Sequence, residues 1–324
     1  MRVLVAGGAG YVGSKLVPAL LAENYEVTVL DLYMYGEQIF EAHPNLREIK
    51  GDIRDLEVVA RSLEGCDVVI HLACISNDPS FELNPELGKS INLDAFEPFV
   101  KMAKAKGIKR FVYASSSSVY GIKEEPNVTE EMELQPLTDY SKFKAECEKI
   151  LFRYMDDSFI CTAIRPATVC GYAPRQRLDV VVNILTNHAV NKGEITVMGG
   201  EQMRANIHID DMVDSYLHVL KCSDEQVQGK TYNVGSWNQT VLEIGNLVKE
   251  EVGNCELRVV PTNDNRSYHV SSEKIRNELG FEPKRSIRDA VRDLADAFKA
   301  GKLPDSLEDK KYFNIKTMNA LDLK

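Results

Sequence analysis

The stretch GGAGYVG at residues 7–13 decides the fold; it follows an apolar run at residues 2–6 and precedes a helical pattern at residues 14–22. A turn between a strand and a helix needs one or two glycines, whereas this turn contains four. They fit both G-x-x-G-x-x-G and G-x-G-x-x-G, and in both patterns Gly13 lies in the first helical turn, where it lets helix and strand pack closely. Gly10 lets the main chain approach a pyrophosphate, which the free N–H groups of the helix would bind. A glycine-rich turn without a ligand is the alternative at this point.

The next strand favours a dinucleotide as the ligand of this turn. Residues 27–30 are apolar or β-branched and end at Asp31, about 20 residues after the glycines, where a dinucleotide fold places the acid that hydrogen-bonds a ribose 2′-OH. A lone acid at a strand end is common, but strand, glycine loop, helix, strand and acid in this order are not. Residues 32–35 contain no Arg or Lys that would bind a 2′-phosphate. The sequence therefore predicts NAD as the cofactor in preference to NADP.

The composition describes an ordinary globular protein of 324 residues, 44% hydrophobic and 27% charged. Its net charge of −10 and pI near 5.3 argue against nucleic acid and anionic membranes as partners. An anionic substrate would therefore need a local basic cluster. The seven cysteines show neither C-x-x-C nor a His/Cys metal spacing, so we expect no metal and no disulfide framework. Because the first residues already read as a strand and no apolar run is long enough to span a membrane, we expect a cytoplasmic protein.

Short apolar strands alternate with helical stretches over the first half of the chain, which predicts an α/β fold with a doubly wound parallel (Rossmann) sheet. The candidate strands are residues 27–30, 46–50, 68–72, 110–114 and 160–165. After Pro166 the pattern loosens into loops, and a helix with an apolar stripe around Met212 and Tyr216 returns to the sheet. We therefore expect an NAD-binding domain at 1–170, completed by about 205–235, and a smaller, interleaved C-terminal substrate domain at 171–204 and 236–324.

Tyr140 and Lys144 are the first candidates for chemistry, because a spacing of four residues places both on one face of a helix. A phenol needs its pKa lowered by ~3 units to act as a base near pH 7, or ~4 kcal/mol. An ammonium at ~4 Å in an effective dielectric of ~20 supplies about that much. The run YASSSSVYG at 113–121 ends a strand on the ligand side, where a hydroxyl can hydrogen-bond a reacting oxygen. Taken by itself, a Tyr and a Lys four residues apart can arise by chance, and a run of serines can be a polar loop.

Together these motifs resemble the extended short-chain dehydrogenase/reductase superfamily, in particular its NAD-dependent sugar-nucleotide epimerases and dehydratases. The resemblance covers nearly the whole chain and rests on motifs in family order: GGAGYVG, GDIRD, VIHLAC, SSSSVYG, YSKFK, RPATVCG, NIHIDDMV and YNVG. It implies that Tyr140 is the general base, that Lys144 lowers its pKa and holds the nicotinamide ribose, and that Ser116 binds the reacting oxygen. It also implies a homodimer through two helices per subunit.

The same resemblance assigns binding residues for the two ligands. Those for NAD would be Gly7, Gly10, Tyr11, Val12, Gly13, Asp31, Asp52, Ile53, Leu72, Ala73, Cys74, Asn92, Tyr140, Lys144, Ala167 and Val169. Those for a nucleotide-sugar substrate would be Ser116, Thr168, Arg175, Arg177, Asn183, Arg204 and Arg266. Asn183, Arg204 and Arg266 would hold its diphosphate, and the arginines would form the local basic cluster that the net charge requires.

Two departures from the family pattern bear on the reaction. Galactose epimerases usually carry Asn where this chain has Thr168, and 4,6-dehydratases usually carry Asp-Glu where it has Ser117-Ser118. Elimination of water needs an acid and a base beyond the tyrosine, so the serines count against it. The leading interpretation is an epimerase, similar to UDP-glucose 4-epimerase, that oxidises and re-reduces a sugar hydroxyl at carbon 4. The alternatives are a 4-dehydrogenase/reductase or dehydratase of surface deoxy-sugar or heptose biosynthesis, and a non-catalytic NAD-sensing regulator.

Overall fold

The computed structural model describes residues 1–76, 78–125, 127–262, 267 and 269–321. The β-strands within these ranges are β1 (Arg2–Ala6), β2 (Glu26–Asp31), β3 (Leu46–Lys50), β4 (Val68–His71), β5 (Arg110–Ala114), β6 (Ile160–Pro166), β7 (Thr168–Cys170), β8 (Glu194–Met198), β9 (Met203–His208), β10 (Lys230–Val234), β11 (Trp237–Thr240) and β12 (Glu256–Val260). The α-helices are α1 (Gly13–Ala22), α2 (Leu56–Ser62), α3 (Asp78–Glu82), α4 (Pro85–Lys89), α5 (Phe96–Ala105), α6 (Asp139–Arg153), α7 (Val181–Lys192), α8 (Ile209–Lys221), α9 (Asp224–Val227), α10 (Val241–Val252), α11 (Glu273–Leu279), α12 (Ile287–Lys299) and α13 (Asn314–Ala320).

Seven parallel strands form the central sheet in the order β10-β6-β5-β4-β1-β2-β3. Apolar side chains of α1 and α8 pack on one face, and those of α2, α5 and α6 pack on the other. Strands covered on both faces read as continuous apolar runs, which is why the sequence pattern revealed them. The prediction of a doubly wound parallel sheet is confirmed, and the five candidate strands begin and end within one residue of the observed bounds.

The second half of the chain alternates between the central sheet and a smaller layer beside it. Strand β10 pairs with β6 in the central sheet, whereas β7, β9 and β11 form a three-stranded sheet, and β8 and β12 form a two-stranded one. Helices α7, α10 and α12 enclose a separate apolar core with β8. The smaller layer thus has its own apolar core, and the expected division into an NAD-binding domain and an interleaved substrate domain stays a prediction.

A cleft of about 520 Å³ opens at the carboxyl ends of the central strands, between the sheet and the smaller layer. Parallel sheets place their ligands at this edge, because the loops that follow the strands converge there. Among the described residues, no helix has both the length and the apolar character needed to cross a bilayer.

Candidate active site

The glycine loop between β1 and α1 forms one end of the cleft. Gly7 adopts φ +80°, and a Cβ there would lie 2.5 Å from the Ala73 nitrogen, so a side chain would be both strained and blocked. A Cβ on Gly13 would collide with the Gly8 carbonyl. The amides of Tyr11 and Val12 have no acceptor among the described residues, and they lie at the start of α1. This end of the cleft therefore fits the pyrophosphate of a dinucleotide.

Asp31 ends β2 beside this loop and is held in one orientation by two backbone amides. Its carboxylate accepts hydrogen bonds from the amides of Ala9 at 2.9 Å and Tyr33 at 2.8 Å. Burial raises the pKa of Asp31, while these amides and the positive charge of Arg175 oppose the shift. The remaining lone pairs of the carboxylate can accept hydrogen bonds from ribose hydroxyls.

Tyr140 and Lys144 lie in the first two turns of α6, which begins after the N-cap Thr138 in a capping box with Ser141. The Tyr140 phenol lies near Ser116, which lowers the pKa of that phenol, and the Oγ of Ser116 lies 2.8 Å from that of Ser118. Lys144 is buried and donates from Nζ to the Ala114 carbonyl at 2.6 Å. A phenol, a hydroxyl and an ammonium thus meet where β5 and α6 face the cleft.

The charge state of Tyr140 differs from the expectation derived from its spacing to Lys144. The Lys144 ammonium lies 5.9 Å from the centre of the Tyr140 ring and is engaged by a carbonyl. Burial raises the pKa of Tyr140, with further increases from Cys74 and Asp78, and the opposing cation is Arg177. A phenolate loses its hydration in the buried site, and this penalty exceeds the attraction of the nearby cations.

Arg177 reaches the end of the cleft where Tyr140 lies. Its Nε donates to Asp179 Oδ1 at 2.5 Å, and its positive charge acts on the Tyr140 phenol. Asp78 also acts on that phenol, raising its pKa, and its carboxylate accepts a hydrogen bond of 2.5 Å from the Thr138 hydroxyl. Sequence reasoning missed Asp78, at the start of α3, and Asp179, in the loop before α7, because an isolated Asp carries no signal until the fold brings it to the cleft.

Most of the residues that the sequence predicts for the site line one continuous cleft. They are Gly7, Gly10, Tyr11, Val12, Gly13, Asp31, Asp52, Ile53, Leu72, Ala73, Cys74, Ser116, Tyr140, Lys144, Ala167, Thr168, Val169, Arg175, Arg177 and Arg204. Arg204 lies near Thr168 across the β7 and β9 pairing and donates to the Met203 carbonyl at 2.9 Å. Arg266 lies outside the described residues.

Two predicted ligand residues are instead buried behind the cleft wall. Asn92 binds the backbone of Ile75 through both ends of its amide, at 2.8 and 2.9 Å. Asn183 is fully buried and donates to the Tyr11 hydroxyl at 3.0 Å and the Arg177 carbonyl at 2.7 Å. Because these amide groups are already used within the protein, both side chains position the wall rather than face a ligand.

Comparison with known proteins agrees with this geometry. The model of the NAD dependent epimerase/dehydratase family matches residues 3–235. A UDP-glucose 4-epimerase of Lactobacillus helveticus is 30% identical over 96% of this chain and all of its own length. The crystal structure of the dTDP-glucose 4,6-dehydratase DesIV of Streptomyces venezuelae, with NAD bound, covers 95% of this chain and all of its own at 27% identity, with a TM-score of 0.85. That of a Thermotoga maritima UDP-glucose 4-epimerase with UDP-glucose covers 93% of this chain and 99% of its own at 25% identity, with a TM-score of 0.82.

Proposed function

Because the chain belongs to the NAD-dependent epimerase/dehydratase family, we propose that it is a nucleotide-sugar epimerase that oxidises and re-reduces one hydroxyl, at carbon 4 of the sugar. The protein is an enzyme of this family and uses NAD. The observation that carries the proposal is the meeting of Tyr140, Ser116 and Lys144 at one end of a dinucleotide cleft. A regulator that only senses NAD has no need of a phenol, a hydroxyl and an ammonium at this place, so this observation favours catalysis.

The roles of the side chains follow from their positions. When bound, NAD supplies the acceptor and donor of the hydride. In its phenolate form Tyr140 takes the proton of the sugar hydroxyl and later returns it, and Ser116, which lies near the same phenol, orients the sugar oxygen. Lys144 contributes positive charge 5.9 Å from the centre of the phenol ring, and Arg177 contributes a second positive charge that lowers the pKa of the phenol. These cations oppose the burial penalty on the phenolate without overcoming it, and the positive charge of oxidised NAD, when bound, would add to them and favour loss of the phenolic proton.

The carboxylates of the cleft argue against elimination of water. Those that line it among the described residues, Asp31, Asp52, Asp78 and Asp179, all accept hydrogen bonds from the protein. Beside Ser116 the chain offers the hydroxyls of Ser117 and Ser118, which are weak acids and bases. A keto sugar formed in this site therefore lacks the acid and base pair that dehydration needs, and it is either reduced again or released.

We expect turnover to be redox-neutral with the correct nucleotide-sugar. A thermal-shift panel of UDP-, GDP-, CDP- and dTDP-sugars identifies that substrate, because a ligand at 100 times its Kd stabilises the native state by ~2.7 kcal/mol. The product should then be an epimer, formed without added oxidant and without net absorbance from reduced nicotinamide. Stoichiometric reduced cofactor with a released keto sugar would instead establish a dehydrogenase, and loss of water would establish a dehydratase.

We expect Arg204→Ala and Arg266→Ala to weaken binding of a nucleoside diphosphate far more than binding of NAD. Each removes a charge-assisted contact to an anion, typically ~1.5–3 kcal/mol or about 10- to 100-fold in Kd, and an acidic protein cannot replace it with its overall field. Isothermal titration of UDP and of NAD measures the two effects. Arg153→Ala, an exposed change on the far end of α6, is the matched control. Unchanged diphosphate affinity in both variants would remove the two arginines from the substrate site.

A further inference from the structure

Arg175 is a buried cation beside the cleft whose donors are only partly used. Its side chain is 4% exposed, and one terminal nitrogen donates to Asn314 Oδ1 at 2.8 Å. Its Nε is also buried and has no hydrogen-bond partner among the described residues. A guanidinium cannot shed its proton to escape this environment, so an unpartnered donor costs free energy unless a ligand supplies the acceptor.

Within the described part of the chain, no carboxylate completes the pairing. Asp179 is the acid nearer to Arg175 in sequence. Its carboxylate already accepts hydrogen bonds from Arg177 Nε at 2.5 Å and from the backbone amide of Asn314 at 2.8 Å. Asp31 accepts from two backbone amides, as described above. Arg175 therefore presents a positive charge to the cleft that neither acid neutralises by direct contact, which is the arrangement that an anionic ligand needs.

Arg175 lies at the end of the cleft formed by the glycine loop and Asp31, where the cofactor is expected to bind. Its guanidinium carbon lies 3.5 Å from the centre of the Tyr35 ring, and Tyr35 follows Asp31 in the loop after β2. Its backbone amide donates to the hydroxyl of Ser14 at 3.3 Å, and Ser14 lies in the first turn of α1. Arg175 is thus tied both to the loop beside the ribose acid and to the helix whose N-terminus faces the pyrophosphate.

Asn314 holds this arginine from the C-terminal part of the chain. It is 2% exposed at the start of α13, and its Nδ2 donates to the Ser76 hydroxyl at 2.9 Å while its Oδ1 accepts from Arg175. One amide side chain therefore connects the loop after β4 with the loop after β7. Such a link fixes the direction of the guanidinium and leaves Nε free to bind a ligand.

We propose that Arg175 donates from Nε to a phosphate oxygen of the NAD pyrophosphate, and that Asn314 is the residue that positions it for this contact. The proposal assigns Arg175 to the cofactor rather than to the sugar substrate. Of the two arginines, only Arg177 then remains at the end of the cleft where Tyr140 lies. It also gives the C-terminal helix a role in retaining the cofactor, independent of which sugar is turned over.

The first test separates the two diphosphates that could occupy the site, using ADP-ribose for the cofactor and UDP for the substrate. Isothermal titration of the unmodified protein and of Arg175→Met should show a 10- to 100-fold loss of ADP-ribose affinity, because a charge-assisted hydrogen bond of ~1.5–3 kcal/mol is removed. The Kd for UDP should change less than 2-fold. Arg175→Lys, which retains the charge without the planar group, should give an intermediate ADP-ribose affinity. A thermal melt of each variant verifies its folding.

The second test asks whether Asn314 acts through Arg175. Asn314→Ala should weaken ADP-ribose binding about 5-fold, and adding it to Arg175→Met should cause no further loss, because the side chain it positions is gone. Lys316→Ala, on the same helix and exposed, is the control and should bind as the unmodified protein does. The proposal is overturned if Arg175→Met weakens UDP and spares ADP-ribose, if it weakens neither, or if the two substitutions are additive.

Discussion

Tyr140→Phe is expected to lower the turnover of the correct nucleotide-sugar by 100-fold or more while changing the Kd for NAD less than about 3-fold. The substitution removes the phenolic oxygen that we propose takes the proton of the sugar hydroxyl, and a positioned general base is worth 10²–10⁴-fold, or ~3–5 kcal/mol. The ring stays in place, since its contacts with the cleft wall do not depend on the hydroxyl. Steady-state rates and isothermal titration of NAD measure the two effects separately.

Lys144→Ala provides the contrast, because it should reduce both turnover and NAD affinity. Its ammonium donates to the Ala114 carbonyl and lies beneath the phenol, so its loss disturbs the wall and the charge together. Tyr25→Phe, a change outside the cleft, should leave both quantities unaltered. If Tyr140→Phe keeps more than about a tenth of the unmodified rate, a loss below ~1.4 kcal/mol, the base is another group.

The second large effect concerns the choice of dinucleotide. We expect NAD to bind at least about 100-fold more tightly than NADP, because the 2′-phosphate of NADP would meet the Asp31 carboxylate. Two unit charges at ~5 Å in an effective dielectric of ~20 repel by ~3 kcal/mol. Because two backbone amides hold the carboxylate, it cannot turn away without losing those hydrogen bonds. Titration of both dinucleotides against the unmodified protein measures the ratio.

Removal of the charge at position 31 should narrow this ratio. Asp31→Ala loses both the repulsion of NADP and the acceptor for the ribose of NAD, but it also leaves the amides of Ala9 and Tyr33 without a partner. Asp31→Asn is therefore the cleaner variant, since it keeps an oxygen acceptor for one amide. Asp52→Asn, a cleft carboxylate held by Arg54, should leave the ratio unchanged. Equal affinity of the unmodified protein for both dinucleotides would show that Asp31 does not reach the ribose.

Local spacing in the sequence was sufficient for the central sheet and for the core of the site. Strands buried on both faces appear as uninterrupted apolar runs, and a glycine loop followed by Asp31 requires only the geometry of one β-α-β unit. The pair Tyr140 and Lys144 requires only one helical turn. Within each of these features, neighbouring residues determine the geometry, so a short stretch of sequence carries the information.

Only the tertiary structure decided which loop side chains face the cleft and which part of it each one reaches. Arg175 and Arg177 are two residues apart, yet one stacks on Tyr35 and the other acts on Tyr140. Asn183 became a buried support and Asn314, from the far end of the chain, became a contact of the cleft, because Asn183 donates to Tyr11 and Asn314 accepts from Arg175, each more than a hundred residues away in sequence. The pKa of Tyr140 was likewise set by burial, which depends on the packing of every surrounding element. Sequence spacing constrains a residue only against its near neighbours, whereas desolvation and long-range hydrogen bonds arise when distant loops pack together.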